Sequence, residues 1–394
     1  MELSVPTNWQ EDLLLFLLGS SPGAITEVYG KLYLDAVGGG RVASALSFIS
    51  KGKAKEHILR LRQKGYKFNY LINASCMDNL EYTRSGQKKL RKLLGWLVGA
   101  GVDAVTVSNP YIAMWVKKNY PTLSLVVSTI ANVDSLNRAK FWEDLGADKI
   151  TLHESAVNRN FKLIELICRS IKCKIQLIAN DACLINCPTY ANHAILSSHA
   201  SQGWHVCGGY SLDYYNILCR FARISNLVNF IRASWIRPED LSFYEGLGVN
   251  GIKLVDRRLS SNMLIKIIDA YLSRQYQGNL IDLLPSLQGK SYNNHKNWFR
   301  KFAVIKSLMS ANLFKVLRYS QVLSKVEISI NNADLSGFIR NMPEKCDLVS
   351  CQECGYCINI ASKVVKVDQD YLSKVLNEYS GVLNNLYKTG LSLF

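Results

Sequence analysis

Short apolar runs rich in β-branched residues recur through the first 255 residues of the chain. Each run is bounded by Gly, Asn or Asp, and a stretch in which apolar residues return at helical spacing usually follows it. Runs of this length and composition predict β-strands. The predicted strands cover residues 25–29, 68–74, 102–108, 124–129, 149–153, 174–180, 229–233 and 251–255.

Amphipathic segments separate several of these strands. Residues 134–145, 160–170 and 261–276 are long enough to form the helices that connect parallel strands. Eight alternations of strand and helix over roughly 270 residues are typical of a (β/α)8 barrel, with a doubly wound sheet as the alternative. The sequence therefore predicts an α/β fold of the TIM-barrel type for residues 1–276, with a cysteine-containing insertion at about 181–225.

The pattern changes after residue 276, where Gly, Ser and Asn become frequent. Residues 277–394 are predicted to form a C-terminal appendage outside the barrel. We expect it to contain a helix over 297–318, a strand over 326–330, a cysteine-rich loop over 346–357 and a final helix near 370–387.

The composition is that of a folded globular protein. Of the 394 residues, 48% are apolar and 20% are charged, which excludes a mainly disordered or fibrous chain. The apolar run near the N-terminus covers residues 13–18 and is too short to cross a membrane, and no longer run follows it. We therefore expect a cytoplasmic protein with no membrane partner.

Positive charge exceeds negative charge. The chain has 47 Lys and Arg against 31 Asp and Glu, a formal net charge of +16. Such an excess favours an anionic partner, although charge spread along a chain also simply aids solubility. The aromatic and basic stretch at 297–306 is explained equally well by an amphipathic helix. An anionic small-molecule or peptide-like substrate is therefore favoured over RNA.

The strongest chemical signal lies in the segment EKCDLVSCQECGYC. Its cysteines, Cys346, Cys351, Cys354 and Cys357, follow the spacing C-x4-C-x2-C-x2-C. Two intervening residues let a turn direct successive thiolates at one centre, and four thiolates suffice for tetrahedral zinc or for a 4Fe–4S cluster. Disulfides rarely persist in a reducing compartment, so a metal centre is the favoured interpretation of this loop.

A second group of cysteines lies in the predicted insertion. Cys183 and Cys187 follow a predicted strand directly, and Cys207 and Cys219 come later. The carboxyl ends of barrel strands form the active-site face, so these four residues are candidate ligands of one 4Fe–4S cluster. The alternative is that only the first two matter and that Cys219 packs in the core.

Candidate proton-transfer residues lie in the same part of the chain. Glu154, at the end of a predicted barrel strand, is the candidate acid–base residue. His193 and His199 in the insertion are candidate proton donors. Either of these histidines, or His205, alternatively replaces a cysteine as a metal ligand.

Residues 68–275 resemble the collagenase-like peptidase family U32. The segment LGADKITLHES places Glu154 on an acidic residue of the family, and ANDACLINCP places Cys183 and Cys187 on its cluster ligands. The segment RPEDLSFYEGLGVNGIKLVDR places Lys253 and Arg257 on the family's final-strand Lys and Arg. The resemblance covers about half of the chain.

Members of this family include oxygen-independent hydroxylases of ubiquinone precursors and of tRNA and rRNA bases. The resemblance implies an iron–sulfur oxidoreductase that uses prephenate as oxygen donor. Arg159, Lys253 and Arg257 are then candidates to hold a dicarboxylate by charge-assisted hydrogen bonds. A redox partner or a related subunit is a further expected partner.

The chain departs from the family pattern at several positions. The family has a cysteine where this chain has Ser242, and its first cysteine pair is spaced more widely than Cys183 and Cys187. Cluster ligation is therefore expected to differ, with Cys207 and Cys219 completing the set. Other residues also replace the Glu and Gly of the family's final motif, at positions 255 and 256, which bears on the substrate.

Three other functions stay open at this point: an RNA-base hydroxylase, a peptidase, and a nonenzymatic electron-transfer or binding module. The peptidase interpretation lacks the usual zinc motif. His153 and Glu154 begin like HExxH, but Val157 and Asn158 stand where the second histidine would be needed. The sequence therefore favours redox chemistry over peptide hydrolysis.

Overall fold

The fold is a closed barrel of eight parallel strands. A computed structural model describes residues 1–20, 22–203, 205, 213–287, 327–342, 346 and 350–388. The barrel strands are β1 (Glu2–Pro6), β2 (Ile25–Gly30), β3 (Lys67–Ile72), β4 (Ala104–Val107), β5 (Ser124–Val127), β6 (Lys149–Thr151), β7 (Lys174–Ile178) and β8 (Gly251–Lys253). Each strand pairs with its neighbours in sequence, and β8 pairs with β1. The predicted (β/α)8 architecture is confirmed.

Helices alternate with these strands. They are α1 (Glu11–Gly19), α2 (Lys51–Gln63), α3 (Arg84–Gly99), α4 (Pro110–Asn119), α5 (Leu136–Asp144), α6 (Glu154–Val157), α7 (Phe161–Ser170), α8 (Tyr190–His199), α9 (Tyr214–Ser225), α10 (Val228–Ile231), α11 (Leu241–Gly246) and α12 (Ser261–Ser273). The predicted helices at 134–145, 160–170 and 261–276 correspond to α5, α7 and α12. None of the described helices combines the length and apolar character needed to cross a membrane.

The remaining elements follow the barrel. They are the strands β9 (Ile328–Ile330) and β10 (Val365–Val367), which pair antiparallel, and the helices α13 (Cys351–Cys354), α14 (Tyr356–Val364) and α15 (Gln369–Lys388). The predicted strand at 326–330 and the predicted final helix are thus present as β9 and α15. The predicted helix at 297–318 lies outside the described residues.

Strand β1 is missing from the set predicted by apolar runs because its inward-facing side is polar. Ser4 donates a hydrogen bond of 2.6 Å to Glu27, and Lys149 lies 3.2 Å from the same carboxylate inside the barrel. The strand nevertheless closes the barrel, since it pairs with both β2 and β8. A search for consecutive apolar residues does not detect a strand of this kind.

The predicted strand at 229–233 is wrong. This segment begins with helix α10, in which Phe230 and Ile231 are buried. The side chain of Asn229 donates a hydrogen bond of 2.8 Å to the carbonyl of Ala222 and so joins α10 to the end of α9. An apolar run of four or five residues does not distinguish a buried helical turn from a strand.

The C-terminal segment packs against both the barrel and the insertion. Ile330, Phe338 and Val364 belong to the same hydrophobic cluster as the barrel strands. Helix α15 instead covers the insertion, where Tyr379 packs with Ile217 of α9 in a smaller cluster. The C-terminal segment therefore holds both the barrel and the insertion helix in place.

His57 of α2 is a buried titratable group in the wall of the fold. Its Nε2 lies 3.0 Å from the Thr7 hydroxyl, and its ring packs edge-on against Trp9. Burial lowers the pKa of His57 from 6.5 to about 4. The His57 imidazole therefore binds a proton more tightly in the unfolded chain than in the folded chain. As a result, the free energy of unfolding decreases as the pH falls from about 6.5 towards 4.

We predict that lowering the pH from 7 to 5 reduces the free energy of unfolding of the wild-type protein by about 2 kcal/mol more than that of His57→Gln. Glutamine keeps a polar partner for Thr7 but does not titrate. Urea denaturation of both proteins at the two pH values measures the difference. Equal losses in the two proteins would contradict this role of His57.

Candidate active site and metal centres

A cavity of about 190 Å³ opens at the carboxyl ends of the barrel strands. Residues that follow the strands and residues of the insertion line it together, as expected for a (β/α)8 barrel. Its polar and ionisable lining residues include Tyr29, Arg41, Asn73, Thr129, Glu154, Asp181, Cys183, Cys187, Tyr190, His193, Asp213, Cys219, Arg223, Lys253, Asp256, Arg257 and Arg258. This cavity is the candidate active site.

Three of the predicted cluster ligands meet at the cavity. Cys183 and Cys187 lie in the loop after β7, and Cys219 lies on α9. Burial raises the pKa of Cys183 well above its usual value, and the neighbouring Cys219 acts in the same direction. Burial also raises the pKa of Cys219. The fourth candidate, Cys207, lies outside the described residues.

The loop that carries Cys183 and Cys187 is anchored to the barrel by Ser155. The Ser155 hydroxyl accepts a hydrogen bond of 2.9 Å from the Cys187 amide and donates one of 2.6 Å to the Leu184 carbonyl. The Ser155 carbonyl accepts a further bond of 2.8 Å from the Asn186 amide. These bonds fix the direction of the loop across the barrel opening.

Glu154 lies next to these thiols at the start of α6. Its carboxylate accepts hydrogen bonds from the hydroxyls of Thr129 and Tyr190, the latter at 3.2 Å. Burial raises the pKa of Glu154 to about 7, and the charge of Asp181 adds to the effect. One oxygen of each carboxylate and the Cys183 Sγ all lie within 4.8 Å of one another. Glu154 is therefore placed to exchange a proton beside a thiol.

Two of the five Lys and Arg side chains that line the cavity share one carboxylate. Asp256 accepts a hydrogen bond of 2.7 Å from Arg41 Nε and one of 2.8 Å from Arg258 Nε. The two guanidinium groups hold the pKa of Asp256 well below its usual range despite its burial. The carboxylate is thus fully engaged and is ionised at neutral pH.

Arg223 donates a hydrogen bond to the Ala182 carbonyl, and the two remaining cations are the predicted substrate ligands Arg257 and Lys253. Arg257 is 5% exposed, and among the described residues its buried Nη1 has no hydrogen-bond partner. Lys253 lies with its Nζ 4.1 Å from the centre of the Tyr29 ring. Burial lowers the pKa of both side chains, that of Lys253 to about 8. A buried, unsatisfied guanidinium group favours an anionic ligand.

The two predicted histidines, His193 and His199, lie in different surroundings. His193 lines the cavity, with its Nε2 3.1 Å from an Asp213 carboxylate oxygen and its side chain 40% exposed. His199, at the end of α8, is not among the lining residues. It points towards Asp78, with 3.2 Å between Nε2 and the carboxylate. Only His193 is thus positioned to reach a ligand in the cavity.

Arg159 also lies outside the cavity, and its expected place among the substrate ligands needs correction. Its guanidinium donates hydrogen bonds to the Tyr244 hydroxyl at 3.1 Å and to the Trp235 carbonyl at 2.5 Å. It also lies over the rings of Trp235 and Phe338, at 4.7 and 5.7 Å. These contacts place the charge between the barrel and the C-terminal segment.

The four cysteines of the C-terminal loop lie close to one another, near Arg159. Burial raises the pKa of Cys357 to about 11, and the thiols of Cys346, Cys351 and Cys354 act in the same direction, whereas Arg159 opposes them. Each of these groups must lie close to Cys357 for its charge to matter. The predicted cysteine cluster is therefore a cluster in space as well as in sequence.

The local sequence explains how the C-terminal thiols are presented. Ser350 and Glu353 form a capping box at the start of α13, in which each side chain accepts a hydrogen bond from the other residue's amide. Gly355 ends this helix with a φ of 65° and begins α14. A side chain at this left-handed position would strain the turn that separates Cys354 from Cys357.

The spacing of the thiols differs from that of a formed zinc site. A zinc–sulfur distance of 2.3 Å in tetrahedral geometry holds sulfur atoms about 3.8 Å apart. Over the described part of the chain, two sets of three potential ligands lie within 4.8 Å of one another, and neither set includes two cysteines. Both cysteine groups are therefore spread more widely than a single zinc ion requires.

Several residues of the site were not predicted from the sequence, among them Arg41, Ser155 and Tyr190. Arg41 follows three consecutive glycines after β2, and this basic residue after a glycine-rich loop was the available signal. The amide of Gly39 donates a hydrogen bond of 2.7 Å to Ser201, which directs the loop towards the insertion. Ser155 and Tyr190 carry no comparable local signal.

The chain is similar to proteins of one family. Residues 43–199 match the family model described as Peptidase family U32. A curated relative, the uncharacterized protease MJ1657 of Methanocaldococcus jannaschii, is 37% identical over 232 residues, which cover 59% of this chain and 65% of the relative. The match thus spans slightly less than two thirds of that protein's length.

Solved structures give weaker similarities. The U32 peptidase Mk0906 is 20% identical over 65% of this chain and 93% of that chain, with a TM-score of 0.47. FabK from Thermotoga maritima is 13% identical over 95% of this chain and 98% of that chain, with a TM-score of 0.29. Residues 43–199 are thus similar to peptidase family U32, and the curated relative supports the same similarity.

Proposed function

We propose that the protein is an iron–sulfur oxidoreductase that hydroxylates, or otherwise oxidises, a small anionic or peptide-like substrate without dioxygen. One observation carries the proposal. Cys183, Cys187 and Cys219 converge on a cavity at the barrel opening that also contains a buried acid and the buried guanidinium of Arg257, whose Nη1 has no hydrogen-bond partner in the described part of the chain. Such a cavity combines metal ligands, a proton donor and an anion-binding group.

The donor set at the cavity fits an iron–sulfur cluster. Thiols whose pKa is raised by burial stay protonated at neutral pH unless a metal binds them, so Cys183 and Cys219 suit metal ligation better than nucleophilic attack. Cys207, a candidate ligand from its position in the insertion that lies outside the described residues, would supply the fourth ligand. When bound, the cluster supplies electrons or a Lewis-acidic iron.

The remaining groups would bind and position the substrate. Arg257 provides charge-assisted hydrogen bonds to a carboxylate, and Lys253 provides a second positive charge from the same strand end. Arg41 and Arg258 stay bound to Asp256 and shape the cavity wall. This arrangement favours a substrate or oxygen donor with one or two carboxylates.

Glu154 would carry the proton that oxidation or hydroxylation releases. Hydrogen bonds from Thr129 and Tyr190 hold its carboxylate in one orientation next to Cys183. His193, paired with Asp213 towards the outside, is placed to pass a proton between the cavity and solvent. The chain thus offers a proton path beside the proposed cluster.

The size of the cavity favours a small molecule or a single side chain over RNA. A volume of about 190 Å³ leaves no room for a nucleic-acid duplex. An RNA base would have to leave its stack to enter, which costs a few kcal/mol. An RNA-base hydroxylase therefore remains a less favoured form of the same proposal.

Peptide hydrolysis is the second candidate function. It is favoured by the name of the family and by the name of the relative from Methanocaldococcus jannaschii. Within the cavity, Glu154 is the residue that could activate a water molecule. Peptide cleavage by protein that contains no metal would favour this candidate over redox chemistry.

Iron and sulfide analysis of anaerobically purified protein tests the cluster. We expect roughly eight irons per chain if both cysteine groups hold cubane clusters, and roughly four if only the cavity does. The double variant Cys183→Ser, Cys187→Ser is expected to lose roughly four irons, while the matched control Cys168→Ser retains them. An unchanged iron content in a folded double variant would rule out this ligand assignment.

We further propose that the C-terminal cysteines hold a second metal centre, a 4Fe–4S cluster or zinc. The double variant Cys354→Ser, Cys357→Ser is expected to lose about half of the total bound metal. Circular dichroism should show an unchanged barrel, because the spacing of these cysteines makes the centre self-contained. Full retention of metal in this variant would disprove the assignment.

Thermal unfolding with added malonate, at constant ionic strength, tests the anion site. A dicarboxylate at ten times its dissociation constant should raise the melting temperature of the wild-type protein by about 2–4 °C. Arg257→Met should lose this shift because the unpartnered guanidinium is gone. Arg60→Met removes an equal charge from the exposed surface and should keep the shift. Equal shifts in all three proteins would argue against an anion site at Arg257.

A further inference from the structure

A second group of potential metal ligands lies outside the cavity. Cys76 and Asp78 are in the loop after β3, His199 ends α8, and His205 follows shortly after it. The Cys76 Sγ, an Asp78 oxygen and a His199 nitrogen all lie within 4.8 Å of one another. His205 Nε2 lies 3.2 Å from the other oxygen of Asp78. None of these four residues lines the cavity.

We propose that Cys76, Asp78, His199 and His205 bind a zinc ion that fastens the insertion to the barrel. One thiolate, one carboxylate and two imidazoles make a four-ligand set of the types that zinc takes. The thiolate and the carboxylate together neutralise the charge of the ion. The proposal does not depend on an iron–sulfur cluster in the cavity.

The distances between the donor atoms agree with a tetrahedral zinc site. Zinc–ligand bonds of normal length separate a nitrogen from an oxygen ligand by about 3.4 Å and a sulfur from an oxygen ligand by about 3.6 Å. His199 and His205 each lie 3.2 Å from an Asp78 oxygen, and Cys76 Sγ lies 3.6 Å from Asp78 Oδ1. Cys76, Asp78 and His199 therefore need little movement to enclose the ion, whereas His205 lies outside this compact set and has to move closer to the shared oxygen.

Among the described residues, hydrogen bonding leaves one nitrogen of this cluster without a partner. His199 Nε2 is shielded from solvent, and although it lies 3.2 Å from Asp78, the geometry is not that of a hydrogen bond. The His199 and His205 rings are stacked, with 4.3 Å between their centres and 15° between their planes, and both present Nε2 to the same carboxylate. A metal ion would satisfy the shielded nitrogen.

Two hydrogen bonds already join the loop after β3, which carries Cys76, to the end of α8 and the residues after it. The Ser75 amide donates a hydrogen bond of 2.9 Å to the Ser198 hydroxyl, and the Gln202 side chain donates one of 2.7 Å to the Cys76 carbonyl. Helix α8 also carries Tyr190 and His193 of the cavity wall. The proposed zinc therefore fixes a wall of the candidate active site without contacting its contents.

Zinc analysis of the full chain tests the site. The wild-type protein should contain one equivalent of zinc more than Cys76→Ser and His199→Gln, while Cys173→Ser should match the wild type. Zinc held by the C-terminal cysteines is identified separately, because only Cys354→Ser with Cys357→Ser removes it. A folded Cys76→Ser with the wild-type zinc content, or a loss shared by Cys173→Ser, would overturn the proposal.

Cobalt substitution adds a readout that does not depend on activity. In the background Cys354→Ser, Cys357→Ser, Co²⁺ should give a thiolate-to-cobalt charge-transfer band and the intense visible bands of a four-coordinate ion. Adding Cys76→Ser should abolish the charge-transfer band, and adding His199→Gln should weaken the visible bands. If Cys76→Ser fails to fold, His199→Gln decides alone: unchanged visible bands in that variant would refute the site.

Discussion

The geometry of the candidate site depends on the hydroxyl of Ser155. This hydroxyl bonds to both ends of the short segment from Leu184 to Cys187, and the Ser155 carbonyl bonds to its middle. Because Ser155 directly follows Glu154, the segment is fixed against the same strand end that carries the buried acid. The Cys183 thiol next to this segment lies within 4.8 Å of the Glu154 carboxylate, an arrangement that would lower the cost of binding the proposed metal.

The charge balance of the barrel opening is the second constraint. Asp256 forms its ion pairs with Arg41 and Arg258, so that one carboxylate faces more than one positive charge at the opening. In a buried cavity an unsatisfied guanidinium group is costly, and a ligand that supplies a carboxylate removes the cost. The same residues thus give the cavity its shape and support the proposed anionic ligand.

The sequence predicted those parts of the fold that depend on local pattern. Seven barrel strands are apolar runs and were found, whereas β1 was missed because Ser4 faces a polar interior and bonds to Glu27. Cys183 and Cys187 were found because a barrel places chemistry directly after its strands. The contribution of Tyr190 depends on how α8 packs across the opening, and no local pattern encodes that packing.

Arg159 and His199 lie away from the cavity for the same reason, because no local sequence pattern encodes how the chain packs there. Arg159 follows α6 closely in sequence, but there the chain has turned away from the cavity and its charge is used between Tyr244 and Trp235. His199 and His193 lie on one helix, yet only His193 faces the cavity. Distance along the chain from a strand end was therefore a poor guide once a helix intervened.

Anomalous diffraction at the iron absorption edge, from crystals grown without oxygen, tests the proposed cluster most directly. We expect strong iron density at the cavity wall, within bonding distance of the sulfur atoms of Cys183, Cys187 and Cys219. Crystals in which these three thiols are free, with iron elsewhere or absent, would contradict the central proposal.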